Sequence, residues 1–177
     1  MPRALRDKAA GTFHVYTRCV YAAPTLYRDD VDRIEFLRHL AATTVKTGWT
    51  CVAYCLMTTH YHLIVDVDDG VLPVAMHRLN LGYARAFNVR HGMKGHVQFR
   101  MYGASRIRSD GDLLFRYRYV ARNPVRAGIC ATAAEWAWSS FAAAAGDCEA
   151  QPFVDDERVL EFFSSRDELR RYVDDPS

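Results

Sequence analysis

No run of apolar residues approaches the ~18 needed to cross a bilayer, so the 177-residue chain is not expected to span a membrane. Residues 1–17, MPRALRDKAAGTFHVYT, carry charges but lack the apolar stretch of a secretory signal. A cytoplasmic location is the default expectation. No GxxxxGKS or GxxxxGKT loop occurs, and neither does an internal repeat or a low-complexity tract. Cysteine is scarce: the five are Cys19, Cys51, Cys55, Cys130 and Cys148. An odd count in a chain without a signal does not point to a disulfide framework. Cys51 and Cys55 stand four apart in a predicted strand, about 13 Å from each other. They are expected to share a face without sharing a metal or a disulfide, as buried, reduced packing residues.

What is present suits one domain with a proper core, since half of the residues are apolar. The net charge of +2 hides a lopsided distribution. From Leu72 to Cys130 there are eleven Lys and Arg against two acids, Asp110 and Asp112, giving +9; the remainder carries −7. A basic stripe on an otherwise acidic protein fits a polyanionic partner.

Periodicity outlines the elements. Gly11–Val20 alternates as a strand. A helix capped at Asp29 or Asp30 runs to a stop at Gly48. Trp49–Met57 and His60–Val67 form a hairpin around Thr58-Thr59. A second helix covers Leu72 to about His91. A fourth strand falls within Val97–Arg108, interrupted at Gly103. A third helix, Asp110–Asn123, is expected to end at Asn123, because Pro124 disfavours helical geometry in the residue before it. The order β-α-β-β-α-β-α predicts an α+β, ferredoxin-like split βαβ fold. It comprises an antiparallel sheet of about four strands with helices on one face. A C-terminal helical tail, FVDDERVLEFFSSRDELRRYVDD, follows.

Two clusters carry candidate chemistry. In MTTHYHLIV, His60 and His62 point to one face of a strand, with Cβ atoms roughly 6–7 Å apart. Tyr61 shares the opposite face with Leu63 and Val65. The pair suits one shared cation, or is simply a pair of surface histidines. In the third helix Arg116, Tyr119 and Asn123 fall on one face, opposite Leu113, Tyr117, Val120 and Ala121. Arg126 follows at the same spacing. A tyrosine ringed by Arg116, Arg118, Arg122 and Arg126 is a candidate nucleophile or phosphate binder. It is equally readable as a surface tyrosine stacked on arginine.

Together these stretches resemble a known group. LMTTHYHLIV is similar to the histidine–hydrophobe–histidine motif of HUH endonucleases. RYVARNPVRAGI, with EWAWSSF after it, resembles the REP-associated tyrosine transposases and their single-tyrosine insertion-sequence relatives. The likeness runs from about Phe13 to Phe141 and includes DDVDRIEFL, MHRLNLGYARAFN and Gly95–His96. It implies a transposase-like HUH nuclease domain over residues 1–145, with residues 146–177 as a helical extension. It implies His60, His62 and Asn123 as ligands of Mg²⁺ or Mn²⁺, and Tyr119 as the catalytic tyrosine. The implied reaction is attack of Tyr119 on single-stranded or hairpin DNA, giving a 5′-phosphotyrosine link and a free 3′-hydroxyl. The sequence departs from the family in Thr58-Thr59, where Pro-Asn is usual, in the bulk of Tyr61, and in QFRMYG, where Arg100 is the best match for a basic residue.

DNA contacts are expected from Arg78, Arg85, Lys94, Arg100, Arg106, Arg108, Arg116, Arg122 and Arg126, with Tyr102 stacking a base. A homodimer stays open beside a monomer. The alternatives to a strand-transferring enzyme are a non-catalytic nucleic-acid-binding module on the same fold and a hydrolase whose histidines activate water.

Overall fold

The computed structural model describes residues 9–18, 25–93 and 102–175. Four strands, β1 (Gly11–Arg18), β2 (Thr50–Leu56), β3 (His60–Val67) and β4 (Gly103–Arg106), form one sheet in the order β2-β3-β1-β4. Every neighbouring pair is antiparallel. Helix α1 (Asp30–Thr47) joins β1 to β2, and α2 (Val71–Arg90) joins β3 to β4. Each inner strand is thus flanked by strands running the other way, which is the split βαβ arrangement expected.

Helix ends follow local chemistry. The Asp29 carboxylate accepts the Asp32 N–H at α1's start, and Gly48 closes its end in the left-handed region at φ 71°. Helix α3 (Asp110–Ala121) begins on Ser109, whose hydroxyl accepts from the Asp112 N–H, with Asp110 and Asp112 in its first turn. It stops at Ala121, two residues before the expected Asn123. A four-residue helix, α4 (Asn123–Arg126), continues past it with Pro124 in its first turn. Proline has no N–H to reach back four residues, yet it suits a helix start, so the chain breaks and restarts instead of turning away. Strand β4 begins at Gly103. The expected strand residues 97–101 lie outside the described residues, as do 19 and 20 of the first strand.

The sheet carries two cores. Phe13, Val15, Tyr61, Leu63 and Val65 pack against Phe36 and Leu40 of α1 and Leu79 and Tyr83 of α2. This is the helix-covered face anticipated, but the expectation of helices on one face alone is corrected, because the apolar stripe of α3 needs a sheet face of its own. On the other face Val52, Cys55, Met57 and Ile64 meet Leu113, Tyr117 and Val120 of α3. Phe141 from α5 (Phe141–Ala144), Val159 from α6 (Glu157–Leu160), and Leu169 and Val173 from α7 (Arg166–Asp174) complete that second core.

Strand β2 corrects the expectation for the cysteines. The register slips between Cys51, opposite Val65, and Ala53, opposite Ile64, so Val52 is an inserted bulge residue. One extra residue reverses the alternation beyond it. Cys51 therefore packs with α1 and α2, while Cys55 packs on the α3 face. Both are buried and reduced, and burial pushes the Cys51 thiol up to about 12.

The outer edge of β2 is covered by the WAWSS stretch. Leu56 N–H donates to Trp138 O at 2.8 Å, and Ser140 N–H donates to Tyr54 O at 3.1 Å. Tyr54 N–H in turn donates to the Ser140 hydroxyl at 3.1 Å. The Arg33 guanidinium of α1 sits over the rings of Tyr27, Trp136 and Trp138 at 5.5–5.7 Å. An exposed strand edge invites pairing with another chain, and this segment closes it.

Candidate active site

The polar alternation of β1 and β3 builds one wall. Tyr16 lies opposite His62 and Arg18 opposite His60; His14 lies opposite Ile64 on one side and Ser105 on the other. Side chains paired across a sheet share a face. His14, Tyr16, His60, His62 and Ser105 therefore stand together on the α3 side. Tyr61 points the other way, fully buried, and its hydroxyl donates to Asn80 Oδ1 at 2.6 Å.

Helix α3 supplies the opposite wall. The Tyr119 ring centroid is 5.5 Å from that of His62 and 5.7 Å from that of His14, both edge-on. The rings of His60 and His62 are 5.1 Å apart. The Arg126 guanidinium lies 5.0 Å from the Tyr119 ring centroid. Between the walls is a cavity of about 470 Å³ lined by His14, Tyr16, His62, Ser105, Phe115, Arg116, Tyr119 and Arg126. Tyr16 is 40 % exposed and Phe115 61 % exposed, so two large aromatic surfaces face solvent at the cavity mouth. Tyr16 rests on Gly103, where a Cβ would come within 2.4 Å of its ring.

His14 is the buried member of the wall. Its Nε2 lies 2.9 Å from His62 Nδ1. Burial, and after it the charge of Arg116, lower its pKa from 6.5 to about 4 against the opposing charge of Asp112. The ring is neutral at physiological pH.

His60, His62 and Tyr119 thus converge, with Arg116 and Arg126 beside them. Asn123 follows Tyr119 by one turn, and its amide nitrogen donates to the Tyr119 carbonyl at 2.8 Å. That bond leaves the amide oxygen as its acceptor atom, the one able to bind a cation. Among the described residues no three His, Cys, Asp or Glu side chains form a metal-holding group. An ion at this wall therefore needs an amide, a phosphate or water beside the two imidazoles; those oxygen donors are the ones that suit Mg²⁺ or Mn²⁺, while the imidazoles are borderline ligands.

The remaining expected contacts are dispersed. Arg118 and Arg122 both donate to the Asp175 carbonyl after α7, away from the cavity. Arg118, one residue from Tyr119, is turned off its face at 100° per residue; Arg122, three residues on, lies nearer that face, and its bond to the Asp175 carbonyl is what holds it away from the cavity. Exposed Arg78 and Arg85 belong to α2, with the sheet between them and Tyr119. Arg106 lies over the Phe13 ring on that same far face. Tyr102 packs against the α1–α2 core. Arg108 is exposed just ahead of α3. Lys94, Arg100 and Gly95–His96 lie outside the described residues. The sequence reading missed His14, Tyr16, Ser105 and Phe115. Thr12, His14 and Tyr16 alternate with apolar Phe13 and Val15, so a polar face of β1 was visible in principle. Its partner strand was not.

The fold and the site define an antiparallel split βαβ sheet with a histidine pair on one face and a tyrosine-bearing helix over it. The same fold occurs in a solved REP-associated tyrosine transposase bound to a REP hairpin, which is 18 % identical in sequence. The match covers 81 % of this chain and 84 % of that one with a TM-score of 0.67. A candidate transposase from Deinococcus radiodurans R1 aligns over 68 % of this chain and 95 % of its own, at 17 % identity and a TM-score of 0.46. No family model matches the sequence, and no curated protein matches it.

Proposed function

We propose that the chain is a transposase-type enzyme that cuts and rejoins single-stranded or hairpin DNA through a covalent link to Tyr119. The observation that carries this reading is the placement of the Tyr119 phenol 5.5 Å, ring to ring, from His62 in one chain, across a cavity flanked by Arg116 and Arg126. Tyr119 and the histidines lie side by side within one chain, which supports a site built in cis. The structural neighbour that binds a REP hairpin supports a nucleic-acid substrate of that class.

The Tyr119 oxygen attacks the scissile phosphorus. A P–O bond to tyrosine forms, the bond to the 3′ oxygen breaks, and the phenolic proton is balanced by the proton taken up at that 3′ oxygen. The 5′ phosphate stays on the protein, and the 3′-hydroxyl can attack it in reverse to join strands. Arg116 and Arg126 neutralise the phosphate oxygens as charge shifts between them. Tyr16 and Phe115 offer stacking surfaces for bases beside the phosphate. Mg²⁺ or Mn²⁺ held by His60, His62 and Asn123 would polarise the phosphate as a Lewis acid.

The test uses labelled single-stranded hairpin DNA with Mg²⁺ or Mn²⁺ and a denaturing gel. The wild-type protein yields a slow-migrating covalent species. Tyr119→Phe yields none, with DNA affinity within about threefold. Adduct formed by the phenylalanine variant removes Tyr119 from the role. Cut DNA with no protein attached points to hydrolysis, and binding without cutting points to a non-catalytic module.

A further inference from the structure

Resting on that reading, the geometry points to His14 as a positioning residue: its Nε2 accepts the Nδ1–H of His62, so that the Nε2 of His62 keeps the lone pair a metal ion needs. Thr59 does the same for His60 from the other side.

A neutral imidazole has one N–H and one lone pair, and which nitrogen carries which is set by the bond the other nitrogen makes. His14 Nε2 and His62 Nδ1 are 2.9 Å apart, and their ring planes differ by only 23°. The bond lies close to both ring planes, where an imidazole lone pair and N–H point. One nitrogen must donate and the other accept. If His14 donated, His62 would carry its proton on Nε2 and could not ligate through it. Among the described residues the charged side chains lining the cavity that His62 faces are the guanidiniums of Arg126 and of Arg116, the latter paired with Asp112 at 3.2 Å. Such a field favours a lone pair over an N–H on the cavity side.

His14 itself is not placed to be a ligand. It is 3 % exposed. Its Nε2 is taken by His62, and its Nδ1 is buried with no hydrogen-bond partner among the described residues. A phenylalanine would fill the same space without leaving a buried polar nitrogen unpaired. A histidine that only packs is therefore the costlier choice, and the bond to His62 supplies the reason for it. On the neighbouring ligand, the Thr59 hydroxyl stands 3.1 Å from His60 Nδ1. Both δ nitrogens are thus engaged, which makes the ε nitrogens the ones through which the two rings would ligate an ion. Outer partners of this kind set ligand orientation and basicity in metal sites.

Long-range ¹H–¹⁵N correlation spectra of the metal-free wild-type protein read the tautomers directly. The expected result is a protonated Nδ1 and an unprotonated Nε2 for His62, with His14 unprotonated at Nε2. A proton on His62 Nε2 overturns the proposal. Mn²⁺ binding, followed by the loss of its free paramagnetic signal, supplies the second readout. His14→Phe weakens Mn²⁺ about 10–100-fold. His14→Gln, which places an amide oxygen where Nε2 stood, restores most of it. Equal Mn²⁺ affinity in the wild type and His14→Phe also overturns the proposal. A wild-type protein that forms the DNA adduct without binding Mn²⁺ sinks the metal reading, and the spectra still decide the tautomer.

Discussion

Tyr117 and Tyr119 are two residues apart on one helix and have opposite surroundings. Two steps of 100° place them on different faces. Tyr117 is buried in the second core, its hydroxyl has no partner among the described residues, and burial drives its pKa up. Tyr119 faces the histidine wall. Helix phase therefore selects which phenol can reach a phosphate. The arginines are sorted by their partners as well: Arg116 and Arg126 line the cavity, while Arg118 and Arg122 hold the Asp175 carbonyl. Arg126→Ala is expected to slow adduct formation at saturating DNA by roughly 10²-fold, the scale of losing one charge-stabilising group. It should also lower the salt dependence of binding by about one unit of slope. Arg122→Ala should leave the saturated rate near wild type. Single-turnover gels over a salt series measure both.

At the scale of elements, α3 is both a core helix and the carrier of the nucleophile. Leu113→Ala removes a fully buried side chain and should cost about 2–5 kcal/mol of stability by thermal or urea unfolding. Phe115→Ala, on the exposed face, should stay within about 0.5 kcal/mol and weaken binding of single-stranded DNA instead, by about 1–3 kcal/mol if the ring stacks a base.

A second elemental device ties the start of α1 to the end of α2. Arg90 pairs with Asp29 at 2.7 Å and also with buried Asp32, which is 2.9 Å from His91 Nε2. The hydrogen bond from Arg90 is the main cause holding Asp29 down from 3.8 to about 2. Burial pushes Asp32 upward, but the bonds from Arg28 N–H, His91 and Arg90 outweigh it and its net shift is downward. A carboxylate with a lowered folded pKa adds stability that is present above its unfolded value and lost as pH falls through the folded one. The melting temperature of Arg90→Ala should therefore lie below wild type at neutral pH. The gap should close as pH falls from about 4 towards 2.

At the scale of the molecule, the residues after 145 belong to the packing beneath the active site. Val159, Leu169 and Val173 share a core with Leu113 and Tyr117 of α3. A chain ending at Ala145 is expected to melt earlier than the full protein, to bind a hydrophobic dye, and to lose adduct formation together with stability. A truncated chain with the full melting temperature would show residues 146–177 to be an independent extension. The covered edge of β2 and the aromatic rings around Arg33 act at the same scale, closing one edge of the sheet.

Much of this was legible in the chain itself. Alternation put His60 and His62 on one side of β3 and Tyr61 on the other, and helical spacing put Tyr119 opposite the buried stripe of α3. These are local regularities with fixed periods, so the sequence by itself determined them, along with the order of strands and helices. Only the tertiary structure decided what required knowing which strand lies beside which. The β1–β3 register set His14 against His62, the bulge at Val52 parted the two cysteines, and the Asp175 carbonyl after α7 took up Arg118 and Arg122. Each depends on contacts between residues distant in the chain, where one residue of slip exchanges the faces of a strand.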